Sequence, residues 1–126
     1  MNAQEIFDTA CAGVIAQGMQ SVNGDVCMYR SERKGVKLKC AAGHLIPDEM
    51  YESGMERATW DKLVQLYDMS HFAGHQDLII SLQCSHDFCV HEDGELFIEE
   101  FIKEARYVAE KYELNTNVLE NRNDKS

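Results

Sequence analysis

The sequence predicts a mainly helical α+β domain with one antiparallel β-hairpin packed against its helices. Three observations lead there. Apolar residues recur at helical spacing from Ile6 to Ile15, and the period changes to strict alternation at Val36-Lys37-Leu38-Lys39-Cys40. It then returns to helical spacing as far as Tyr112.

The first helix opens on Asn2, with Glu5 three residues later as a capping box, and ends at Gly18. Its stripe is Ile6, Phe7, Ala10, Cys11, Val14 and Ile15. Asn23-Gly24-Asp25 signals a turn, and Val26 to Arg30 reads as a strand. With Glu32 to Gly35 as the loop, Ser31 pairs with Val36, and Cys27 lies opposite Cys40. Tyr29 and Leu38 share that face, and Arg30, Lys37 and Lys39 take the other. Pro47, followed by Asp48 and Glu49, suits the start of a short helix interrupted at Ser53-Gly54. Thr59 can cap a helix carrying Trp60, Leu63, Val64 and Tyr67. A further apolar segment holds Leu78, Ile79 and Leu82. The last helix runs from about Glu95 to Tyr112 on Phe97, Phe101, Ala105 and Val108. A single globular domain is expected over 1–114, with a polar, flexible tail over 115–126.

The 126 residues suit one domain, and 44% apolar content supports a core. A net charge of -10 argues against direct binding to nucleic acid or anionic membrane. No run approaches the roughly 20 apolar residues of a membrane span. Met1 to Glu5 shows no basic region before an apolar run, so a cytoplasmic location is expected. The five cysteines should then be free thiols.

Two donor sets could hold zinc. Cys84, His86, Cys89 and His91 fall within eight residues, at a spacing unlike a standard finger. Cys27, Cys40 and His44 come together through the hairpin, and His86 would complete a Cys2His2 set. The simpler reading makes the cysteines small core residues. Arg30, Lys37 and Lys39 form a candidate anion site, because like charges set opposite each other repel unless solvated or met by a phosphate. A Cys–His nucleophile could be written from Cys40, His86 and Asp87, but no spacing requires it. From Asp87 to Glu104, seven acidic residues face one lysine, so the molecule should be a dipole with a basic hairpin.

Cys27-Met28-Tyr29-Arg30 and Cys40-Ala41-Ala42-Gly43-His44-Leu45-Ile46-Pro47-Asp48-Glu49 resemble a family of small uncharacterised tailed-bacteriophage and prophage proteins. Gln4-Glu5-Ile6-Phe7, Tyr51, Met55-Glu56, Leu82-Gln83 and His86-Asp87 extend the resemblance. In that pattern the position of His44 takes cysteine or histidine, both of them metal ligands. The resemblance, the small size and the lack of a recognisable catalytic set point to a non-enzymatic accessory protein that binds and modulates or inhibits a host factor, with no catalytic residues assigned. No cofactor is expected unless the donor sets hold zinc. Two other readings stay open: a binder of phosphate-containing small molecules, and a small Cys/His hydrolase.

Overall fold

The computed structural model describes residues 2–23, 26–33, 35–69, 72–87 and 93–120. Helix α1 (Ala3–Gln17) is held at both ends as its sequence dictates. Asn2 accepts from the Glu5 N–H, the Glu5 side chain returns to the Asn2 N–H, and Gly18 closes the helix at φ 74°.

Two separate two-stranded ladders follow. Strands β1 (Val22–Asn23) and β2 (Val26–Cys27) form the first, with Cys27 opposite Val22. Strands β3 (Arg30–Arg33) and β4 (Val36–Lys39) form the main hairpin. The expected single strand from Val26 to Arg30 is thus broken at Met28-Tyr29.

The expected register is corrected by two residues. Arg30 pairs with Lys39, Ser31 with Leu38, Glu32 with Lys37 and Arg33 with Val36. Pairing reaches the tip because only positions 34 and 35 connect the strands, and Gly35 supplies the positive φ, 81°, that so tight a turn needs. The shift sets Glu32 opposite Lys37, an opposite-charge pair, and moves the like-charge pairing of Arg30 from Lys37 to Lys39. A shift of two preserves faces, so Leu38 and Tyr29 are buried while Lys37 stays exposed.

Pro47 begins turns instead of a helix. Short 3-10 segments occupy Gly43–Leu45 and Ser53–Arg57 on either side of it. Helix α2 (Trp60–Leu66) is capped by the Thr59 side chain, which accepts from the Lys62 N–H. Helices α3 (Gln76–Asp87) and α4 (Gly94–Tyr112) pack on each other and on α1. The Asp93 carboxylate caps α4 through the Glu95 and Leu96 N–H groups. The chain past Leu114, read from composition as a tail, continues as α5 (Asn117–Glu120) against α1, with Leu119 in the core. Phe7, Leu78, Ile79, Phe97 and Phe101 make the centre of that core. Among the described residues, no helix is long and apolar enough to cross a membrane.

Candidate functional site

Of the polar residues picked from the sequence, Cys27, His86 and Asp87 come together where the end of α3 meets the segment after α1. His86, on the last turn of α3, is fully buried. The Ser21 N–H donates to its Nε2 at 3.0 Å, which places the ring proton on Nδ1, 2.9 Å from the Asp87 carboxylate. Gln83 also donates to that carboxylate, at 2.8 Å, and accepts from the Ala42 N–H at 2.9 Å. Gln20 donates to the His86 carbonyl at 2.9 Å. One chain of bonds therefore ties α3 to the segment after α1 and to the turn after β4.

Glu56 fixes the other side. Its carboxylate accepts from the Tyr29 N–H at 2.8 Å, the Arg30 N–H at 3.0 Å and the Tyr51 hydroxyl at 2.6 Å. The carboxylate and burial together push the Tyr51 phenol up, to about 12, with burial the larger cause. Gln17 accepts from the Lys39 N–H at 2.9 Å and from the His44 ring at 3.1 Å. His44 lies against Gly13, where any side chain would collide with the ring at 2.4 Å. Burial, with Lys39 next in weight, lowers the His44 pKa from 6.5 to about 4.

The thiols are held protonated. Burial, reinforced by Asp87, pushes Cys27 up to about 12. Burial also raises Cys11, Cys40 and Cys84. The Cys40 sulfur accepts from the Gly43 N–H at 3.3 Å. A nucleophilic cysteine needs the opposite shift, and a general base must offer its lone pair to substrate. The His86 lone pair is already bound by Ser21.

The predicted Cys27, Cys40, His44 and His86 set is only partly brought together. Among the described residues, one group of donors is close enough to hold a metal ion: Cys27, His86 and Asp87, within 4.8 Å of one another. It keeps Cys27 and His86 of the predicted Cys2His2 set and adds Asp87, which neither donor set included. Cys40 and His44 are not in the group, because their polar atoms turn to Gly43 and Gln17. Cys89 and His91 lie outside the described residues, as does His71. His86 could enter a metal site only by giving up Asp87 or Ser21.

Arg30, Lys37 and Lys39 line one hollow of about 710 Å³, together with Ser31, Glu32, Leu38 and Asp48. The corrected pairing changes its electrostatics. Arg30 donates to Asp48 at 2.7 Å and to the Ile46 carbonyl at 3.1 Å, with its guanidinium 4.4 Å from the Tyr51 ring centre. Lys39 reaches the same Asp48 at 3.4 Å. Lys39 first, then Arg30, hold the Asp48 carboxyl below its usual range. Arg30 and Lys39 thus share one carboxylate, Asp48, from the segment that follows the hairpin.

Sequence reasoning gave no role to Gln17, Gln20, Ser21, Glu56 or Gln83. Only Glu56 and Gln83 carried a signal, as residues of the phage-like pattern. No protein-family model, curated protein or solved structure matches the chain.

Proposed function

We propose that this chain is a non-enzymatic accessory protein, of bacteriophage origin as its resemblance implies, that binds a host protein and modulates or inhibits it. The observation that carries the reading is the outer face of α4. Leu96 and Tyr107 are 50% and 60% exposed there, among the exposed charges Glu99, Glu100, Lys103, Arg106 and Glu110. Large exposed apolar side chains ringed by charge are the ordinary composition of a protein-binding surface. The chain's net charge of -10 favours a basic partner. The inward engagement of His86, Cys40 and Glu56 supports an architectural role for the pattern residues.

The test is capture of a host protein by the tagged chain and by a Leu96→Lys, Tyr107→Lys variant. Both positions are exposed, so the variant should fold normally. A saturable partner held by the wild type and lost by the variant is expected. No partner, or equal capture by both, would count against the proposal.

A second reading has one observation in its favour: Arg30, Lys37 and Lys39 share a hollow. A phosphate-containing small molecule could bridge them if it displaced Asp48. Titration with a nucleotide library should then show binding that Lys37→Ala weakens. Turnover in the same assay would favour the hydrolase reading instead.

A further inference from the structure

A cavity of about 410 Å³, walled in part by Cys27 and Asp87, opens between Tyr29, α2 and α3. Its walls include Tyr29, Glu56, Trp60, Asp61, Ile80 and Asp87. We propose that it binds a small organic cation, an ammonium or guanidinium group on a short apolar stem.

Four observations carry this. The volume suits a group of several heavy atoms, more than a bare metal ion fills. Two aromatic rings stand in the wall, and aromatic faces attract cations through their quadrupole. Three carboxylates line the cavity and no lysine or arginine does, so its charge has one sign. Glu56 and Asp87 are engaged within the protein, whereas Asp61 is exposed and has no hydrogen-bond or ion-pair partner among the described residues. The fourth observation is independent of charge. Trp60 is only 3% exposed, and its Nε1–H is a buried donor without a partner among the described residues. Such a donor is costly to leave unpaired.

Trp60 is the only tryptophan in the chain, so its emission reports on this wall directly. The full chain would be titrated with n-butylguanidinium and n-butylammonium, with 1-butanol as the neutral control. A saturable change with the cations and none with butanol is expected. Asp61→Asn should weaken the response about tenfold, the effect of removing one close charge partner. Capped tripeptides with a central arginine or lysine form a second arm, since a protein side chain offers the same group as a free amine. Tighter binding of the peptides assigns the site to a protein side chain, and tighter binding of the free cations assigns it to a small molecule. A flat titration in both arms, an equal response to butanol, or unchanged affinity in Asp61→Asn would overturn the proposal.

Discussion

Ser21 presents a buried backbone N–H whose partner is a side chain 65 positions away. Replacing that partner by His86→Leu keeps the volume apolar but leaves the Ser21 donor unsatisfied. It also removes the ring that meets Phe97 edge-on at 5.4 Å. A loss of about 2–3 kcal/mol in urea unfolding is expected from the orphaned donor and the lost contact. A loss below about 0.5 kcal/mol would mean that the bond does not hold the segment. His44 sets a pH dependence. Its pKa falls from 6.5 unfolded to about 4 folded, so the unfolded chain binds the extra proton between those values. Stability is therefore full above pH 6.5 and declines as pH falls toward 4. Thermal unfolding across that range should show the decline, and His44→Gln should flatten it.

Glycines decide how closely the elements approach. A Cβ on Gly43 would stand 2.1 Å from the Tyr29 carbonyl oxygen, a backbone atom that cannot swing away. Gly43→Ala should therefore destabilise by about 1–3 kcal/mol. Gly13 is the sharper case, because it lies inside α1, where alanine would ordinarily gain about 1 kcal/mol in helix propensity. The His44 ring lies against that position and is tethered to Gln17, so overpacking should win and Gly13→Ala should lower the melting temperature. A rise would show that the ring moves freely. These elements were legible in the sequence to the extent that their causes are local. Asn2 and Glu5 define the start of α1 and Gly18 its end, each within one turn of the terminus it closes, and alternation along β4 decided which side chains face inward. The register was not legible, because it depends on where pairing stops, and the observed ladder runs on to Arg33 and Val36. Nor was the interface between elements, since Glu56 reaches Arg30 across 26 positions and Gln20 reaches His86 across 66. Leu119 was hidden by the polar residues around it, although its burial closes the body against α1.

Among the described residues the interior is apolar apart from Gln20, Ser21, Ser85 and His86, and the charged side chains lie outside it. The thiols report this division. Cys84 is exposed, whereas Cys11 and Cys40 are fully buried. Under native conditions a thiol reagent should label Cys84 quickly, and Cys11 and Cys40 only at the rate of global opening. Early labelling of Cys40 would mean that the hairpin detaches locally. The donor group that holds the molecule together is also the one that could hold a metal, so the two roles meet at His86. The measurement that separates them is the ¹⁵N spectrum of the His86 imidazole, with and without one equivalent of zinc. A joint built of hydrogen bonds predicts the Nδ1–H tautomer, unchanged by the metal. A zinc-dependent shift at either ring nitrogen, saturating at one equivalent, would contradict it.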